Sequence, residues 1–138
     1  MIKWDNSFNI GIPEIDEHHK HLFKICRELE LFLDKPNEVY KVDEAIDLIC
    51  KLREYTTFHF YTEEKIMENI GFDNLNSHKI EHEKLKSEIL KLDINNICIE
   101  NYNDMHFLKN ILYDWLFNHI GNEDKKIFEY INKYKLVN

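Results

Sequence analysis

The sequence has few of the residues that interrupt helices or cross-link a chain. Its 138 residues include three glycines, two prolines and three cysteines. So few breaks favour long helices over many short strands. The cysteines (Cys26, Cys50 and Cys98) are odd in number and form no Cys-x-x-Cys pair. We therefore expect free thiols in a reducing cytoplasm, where cysteine acts as a small hydrophobic residue.

Long apolar runs and an excess of positive charge are also missing. No run approaches the roughly 18 apolar residues that span a bilayer, and the first five residues lack the apolar stretch of a signal peptide. The formal net charge of −8 argues against nucleic acid or an anionic membrane as a partner. With 43% hydrophobic and 32% charged residues, the chain is expected to form one soluble domain over residues 1–138.

The hydrophobic periodicity predicts an all-α protein, an up-down-up-down four-helix bundle with an irregular N-terminal arm and a short C-terminal helical segment. Asp16 is a good N-cap for the first helix, and Gly71 is a natural stop for the second. Apolar positions in the third helix alternate in steps of three and four, as on one inward face. The predicted ranges are the arm 1–15, helices at about 16–35, 41–70, 74–92 and 104–121, and the C-terminal segment 125–136.

Five histidines and two carboxylates on these helices have the spacing of metal ligands. Residues four apart lie on one helix face, and a five-residue step reaches a shared centre where a helix bends or tightens. In an up-down bundle, the starts of the first and third helices share one end with the ends of the second and fourth. Imidazole and carboxylate without thiolate suit iron, with zinc and manganese as competitors. The candidates are His19, His59, Glu63, His78, His82, His119 and Asp124.

Each of these motifs is weak when taken alone. With eight histidines in the chain, roughly half an occurrence of His-x-x-x-His is expected by chance. In the first helix, periodicity does not separate His18 from His19 as the inward residue, whereas His21 is expected on a solvated face. His106 has no ligand partner one turn away and is expected at the surface. The metal hypothesis therefore depends on the coincidence of level across four helices.

The ordered motifs resemble the hemerythrin family, specifically its single-domain bacterial members, over nearly the whole chain. They are Trp4-Asp5, Gly11-Ile12-x-x-Ile15-Asp16-x-x-His19-Lys20, Tyr55-x-x-x-His59-Phe60-x-x-Glu63-Glu64-x-x-Met67, His78-x-x-x-His82 and Trp115-Leu116-x-x-His119-Ile120-x-x-x-Asp124. The resemblance implies that His19 is the ligand of the first helix; the family commonly has glutamine at the position of His18. It further implies one iron on His78, His82 and His119, another on His19 and His59, and bridging by Glu63 and Asp124.

The resemblance implies reversible O2 binding at a non-haem, oxo- or hydroxo-bridged pair of iron ions, for carriage, storage, scavenging or sensing and without a catalytic residue. The ligand count leaves one open position, on the iron bound by two histidines. Reversible binding needs a dry pocket. Leu22, Phe60 and Trp115 are candidates for its wall, although an ordinary core uses the same residue types.

Two enzymatic alternatives compete with O2 binding. The same iron pair could reduce nitric oxide or peroxide, because both reactions use the same open position. His78-x-x-Glu81-His82 also fits the pattern of inverted zinc peptidases, with Glu81 as the base. The peptidase hypothesis leaves the other candidate ligands unexplained. Beyond O2, the sequence leaves open an unidentified protein partner.

Overall fold

The computed structural model describes residues 2–35, 41–97 and 102–134, and within these ranges it contains helices and no strand. Four helices follow one another along the chain: α1 (Pro13–Asp34), α2 (Lys41–Ile70), α3 (Leu75–Leu90) and α4 (Asn103–Trp115). The last of these continues through a π-helix (Leu116–Asp124) into α5 (Lys125–Tyr134). The predicted all-α class is confirmed.

The helices form a bundle in which each packs against the next along the chain and α4 packs against α1. Because consecutive helices pack side by side, the chain runs up and down through the bundle in turn. Among the helices of the described ranges, none has both the length and the apolar content needed to cross a membrane. The bundle thus brings the start of α1, the end of α2, the start of α3 and the π-helix to one end.

The N-terminal arm is more ordered than expected, and the assignment of Asp16 as an N-cap is wrong. The first helix begins at Pro13, whose missing N–H costs nothing in a first turn. The carboxylate of Asp16 instead accepts hydrogen bonds from the backbone N–H of Ile10 at 2.7 Å and of Gly11 at 3.2 Å. Before this tie, the arm forms a 3-10 turn over Asn6–Phe8. Asp16 therefore fastens the arm to the helix that carries His19.

The other helix limits differ from the predicted ones mainly at the ends. The third helix ends at Leu90 and the fourth begins at Asn103. The largest error is the predicted single helix over 104–121, which is α-helical only to Trp115 and π-helical from Leu116. The segment predicted at 125–136 is helical through Tyr134, and its last two residues lie outside the described ranges, as does Cys98. Cys26 and Cys50 are free thiols, as expected.

The second helix ends at Ile70, and Gly71 follows it, as predicted, in a left-handed turn with φ of +68°. The N–H of Phe72 donates to the carbonyl of Met67 at 2.9 Å, and the N–H of Gly71 donates to the carbonyl of Glu68 at 3.2 Å. These two bonds satisfy carbonyls that a helix end would otherwise leave unpaired, and they form a Schellman motif. The turn places Phe72 against Met67 and directs the chain into α3.

Among the described residues, two separate apolar clusters form the core, and the candidate ligands lie in the region between them. The larger cluster includes Leu22 of α1 and Phe60 of α2. The smaller one contains Met67 and Phe72 from the end of α2, with Ile127 and Ile131 of α5. His19, Glu63 and His78 thus lie in a polar layer with apolar packing on both sides. Such packing excludes water from the layer.

The two glycines with positive φ permit a matched test of the arm. Gly11 has a φ of +98°, and a Cβ there would lie 2.6 Å from the ring of Phe128, whereas nothing lies within 4 Å of a Cβ at Gly71. We expect Gly11→Ala to destabilise the protein by about 2–3 kcal/mol through both backbone strain and steric overlap. Gly71→Ala, with backbone strain alone, should cost about 1 kcal/mol. Urea unfolding measures both, and equal losses would contradict the predicted contact with Phe128.

Candidate metal centre

All seven predicted ligands meet in one buried layer, as two groups that share Glu63. The three-histidine group consists of His78, His82 and His119 with Glu63. The two-histidine group consists of His19 and His59 with Glu63 and Asp124. In each group the candidate ligand atoms lie within 4.8 Å of one another. None of the seven residues is more than 3% exposed.

Glu63 divides its two carboxylate oxygens between the groups. Its Oε1 lies 2.8 Å from Nε2 of His78 and 3.1 Å from Nε2 of His82. Its Oε2 lies 3.2 Å from Nε2 of His59 and 3.8 Å from Nε2 of His19. A carboxylate that presents one oxygen to each of two nitrogen clusters has the geometry of a bridge between two cations.

Asp124 divides its oxygens in the same way. Its Oδ1 lies 2.8 Å from Nε2 of His78 and 3.0 Å from Nε2 of His119. Its Oδ2 lies 2.9 Å from Nε2 of His19. The two carboxylates therefore run side by side across the layer, each in contact with both groups.

The local helix type explains how each ligand pair reaches the layer. His59 with Glu63 on α2, and His78 with His82 on α3, are four residues apart and lie on one α-helical face. His119 and Asp124 are five apart, which an α-helix would place on different faces. The π-helix over Leu116–Asp124 has i→i+5 geometry and brings them together. The helix thus widens at this point, and the expectation that it bends or tightens is wrong.

The hydrogen bonding of the layer fits a site for cations. Within the described residues, six of the buried side-chain atoms that lack a hydrogen-bond partner belong to the candidate ligands. Nε2 of His19 lies 2.9 Å from Oδ2 of Asp124, yet neither atom has a hydrogen-bond partner in the described part of the chain. Such an arrangement is expected when both atoms face the same cation. Buried polar atoms left unpaired are costly, and positive ions between them would remove that cost. The unpaired atoms are Nδ1 and Nε2 of His19, Nε2 of His59 and His119, Oε2 of Glu63 and Oδ2 of Asp124.

Protons replace cations when no metal is bound, and they shift the acid–base equilibria strongly. Burial lowers the pKa of His19 and of His78, but the carboxylates of Asp124 and Glu63 outweigh burial and raise each pKa to about 9. The same carboxylates raise the pKa of His119 to about 11 against the effect of burial. Burial raises the pKa of Glu63, yet the neighbouring imidazoles hold it well below its usual range. Metal binding must therefore release protons.

The outer nitrogens of three candidate ligands have partners that the sequence did not identify. Glu64 lies 3.2 Å from Nδ1 of His82, and Glu81 lies 2.8 Å from Nδ1 of His119. Nδ1 of His59 lies 3.1 Å from Nδ1 of His18. Such contacts orient metal-binding imidazoles through the nitrogen that faces away from the metal. Periodicity cannot find them, because Glu64 and Glu81 are only partly buried and read as surface residues.

Both histidines of the first helix that periodicity left unresolved are buried, but they occupy different places. His19 lies in the two-histidine group. His18 lies outside it, with its ring 4.9 Å from Phe58 and 5.8 Å from Tyr55 between centroids. Burial, and then the neighbouring His59, lower the pKa of His18. His106 is exposed, as expected, while His21 is half-buried with its ring 4.1 Å from that of Tyr55.

The three candidate pocket residues lie close to the layer and pack mainly on one side of it. The ring of Phe60 stacks on His82 with centroids 4.0 Å apart, and Trp115 stacks on His119 at 4.8 Å. Both rings also approach His59, at 5.7 Å and 6.2 Å. Leu22 is fully buried in the same apolar cluster as Phe60. Outside Trp115 and His119, a surface groove of about 490 Å³ carries Glu81 and Glu123.

The raised histidine pKa values predict how the metal-free protein responds to pH. Below the ordinary histidine pKa of 6.5, the stabilisation from the shared protons is fully present, and it is lost as the pH rises through about 9. We expect the free energy of unfolding to fall over this window by up to about 1.4 kcal/mol per pH unit for each such histidine. Denaturant unfolding at a series of pH values measures it. His78→Gln should flatten the profile and His106→Gln should not; stability that rises from pH 7 to 9 would refute the prediction.

Comparison with known proteins agrees with this geometry. The family model described as the hemerythrin HHE cation binding domain matches residues 10–131. A bacteriohemerythrin of Clostridium acetobutylicum is 31% identical over 132 residues, covering 96% of this chain and all of the relative. One from Pseudomonas aeruginosa is 32% identical over 88% of this chain and 75% of its own. A hemerythrin-like protein of Naegleria gruberi is 28% identical over 89% and 87%. The chain therefore belongs to the hemerythrin family.

Proposed function

We propose that this protein binds O2 reversibly at a pair of non-haem iron ions held by the seven side chains of the layer. The observation that carries the proposal is the division of both carboxylates between two histidine groups. One ion alone would leave one oxygen of Glu63 and one of Asp124 in an apolar interior without a positive partner. Two ions satisfy all four oxygens.

The donor set favours iron. It combines imidazoles with carboxylates and has no thiolate, because neither Cys26 nor Cys50 is among the candidate ligands. In the proposed assignment, His78, His82 and His119 bind one ion, His19 and His59 bind the other, and Glu63 and Asp124 bridge them. When bound, the iron pair supplies two electrons and one open coordination position to O2.

The protein's own contribution is to hold the ligands in place and to keep water away. The apolar clusters on both sides of the layer bury all seven ligands. We propose that Leu22, Phe60 and Trp115 form the wall that faces O2. A dry wall slows the irreversible oxidation that water and protons promote. The uses open to such a site are carriage, storage, scavenging and sensing.

The position of Glu81 argues against the zinc peptidase alternative. A general base must reach the water on the metal. The carboxylate of Glu81 instead binds Nδ1 of His119, on the opposite side of the ring from the nitrogen that faces Asp124. We therefore expect Glu81→Gln to weaken metal affinity, as the loss of a carboxylate partner of a metal-binding histidine does, but to leave the spectral response of the iron-saturated protein to O2 in place. Peptide hydrolysis by the zinc-loaded protein that disappears in this variant would favour the peptidase instead.

The central test of the proposal is metal analysis combined with an optical spectrum. We expect two irons per chain, and new near-ultraviolet and visible charge-transfer bands when the reduced protein meets air, which fade when O2 is removed. Glu63→Gln should abolish the bands because the bridging charge is lost. Glu68→Gln, at an exposed carboxylate paired with Lys65 and Lys79, is the matched control. Absent bands, or one zinc in place of two irons, would end the proposal.

Sustained consumption of nitric oxide or peroxide with a reductant would favour the redox-enzyme alternative, because reversible binding consumes neither. The same iron-loaded sample serves for this measurement. We expect stoichiometric uptake of O2 and its release without net turnover. A rate of consumption that stays constant over many equivalents would contradict the carrier hypothesis while leaving the two-iron site intact.

A further inference from the structure

We propose that His18 is a positioning residue that accepts the Nδ1 proton of His59 in its metal-binding tautomer, and that the two-histidine group, supported by this imidazole and not by a carboxylate, is the weaker and more exchangeable metal position. The inference rests on the two-ion part of the proposed function and is independent of O2 binding. It concerns a contact between side chains of this chain that are both buried.

The position of the ring proton of His59 decides whether this histidine can bind a metal. Its Nε2 faces Oε2 of Glu63 at 3.2 Å and has no hydrogen-bond partner among the described residues. An imidazole binds a metal through a nitrogen that carries no proton, so the single ring proton must be on Nδ1. If that proton moved to Nε2, the ring would present an N–H to the cation, and binding would be lost.

The other ring nitrogen of His59 contacts His18. Nδ1 of His59 and Nδ1 of His18 are 3.1 Å apart. One of these nitrogens must donate and the other must accept, because two N–H groups would repel and two bare nitrogens would leave a buried acceptor pair. Metal binding makes His59 the donor. His18 must then accept at Nδ1 and carry its own proton on Nε2.

The surrounding side chains hold the His18 ring in place. It is 7% exposed, and its ring packs against those of Phe58 and Tyr55. A buried ring between two aromatic neighbours loses these contacts if it turns away. The acceptor nitrogen is therefore already at hydrogen-bond distance from His59 before a metal arrives, and the Nδ1 proton that metal binding requires has a partner in place.

The two histidine groups differ in the partners of their outer ring nitrogens. Glu64 and Glu81, both carboxylates, contact the outer nitrogens of His82 and His119 in the three-histidine group. In the two-histidine group the partner of His59 is an imidazole, and Nδ1 of His19 has no partner among the described residues. A carboxylate partner raises the basicity of a metal-binding histidine. The two-histidine group therefore has fewer histidines and less basic ones.

Zinc titration of the metal-free protein against a competing chelator tests the inference without redox chemistry. We expect two zinc ions per chain in two separated steps. His18→Leu removes the acceptor but keeps an apolar side chain against Phe58 and Tyr55, and it should weaken the second step by about 10- to 100-fold while leaving the first unchanged. His18→Asn, whose side-chain oxygen replaces Nδ1 as acceptor, should restore most of the affinity.

Two further variants separate this role from a general effect on the fold. His21→Leu makes the same substitution on the same helix, at a histidine whose ring contacts Tyr55 and no ligand, and it should leave both steps unchanged. Glu64→Gln should weaken the first step only, because Glu64 contacts His82. Equal effects of His18→Leu on both steps, or no effect on either, would overturn the inference.

Nitrogen NMR of the zinc-loaded protein distinguishes the proposed hydrogen bond from a purely structural effect of His18 on the fold. We expect the proton of His59 on Nδ1 and that of His18 on Nε2, with the hydrogen-bond signature at His59 lost in His18→Leu and regained in His18→Asn. A proton on Nδ1 of His18 would overturn the inference. An unmodified protein that binds only one zinc would refute the two-ion assignment as well, whereas two zincs unaffected by His18→Leu would refute this inference alone.

Discussion

The structure depends on the burial of two carboxylates, Glu63 and Asp124, in the centre of an apolar bundle. Neither side chain is exposed, and an unpaired carboxylate in such a place costs several kcal/mol. Only positive charge offsets that cost. Imidazolium protons supply it in the absence of metal, which is why burial fails to lower the pKa of His19, His78 and His119. Two cations supply it better, because each carboxylate presents an oxygen to both histidine groups.

The helices are arranged to meet this constraint, even where regular geometry has to give way. The α-helical pairs on α2 and α3 need no adjustment. The chain from His119 to Asp124 does, and it departs from the α-helix over Leu116–Asp124 to bring both side chains to one face. A π-helix has poorer packing than an α-helix and is frequently found at functional sites. Its place here is explained by the second bridging carboxylate.

The sequence predicted the bundle and most of the layer from periodicity and spacing, and the family resemblance selected His19. Steps of four predicted His59 with Glu63 and His78 with His82. Periodicity failed to separate His18 from His19, which are both buried. It predicts whether a side chain is buried, but not which group that side chain faces. It also failed for Asp16 and for the contact of Glu81 with His119, since a carboxylate that pairs with a backbone or with another helix leaves no repeat in the sequence.

The measurement that tests the shared-carboxylate arrangement most directly is anomalous X-ray scattering at the iron absorption edge from crystals of the iron-loaded protein. We expect two separate iron peaks in each chain, one among His78, His82 and His119 and one beside His19 and His59, with Glu63 and Asp124 in contact with both. A single peak, or iron bound away from these two carboxylates, would contradict it.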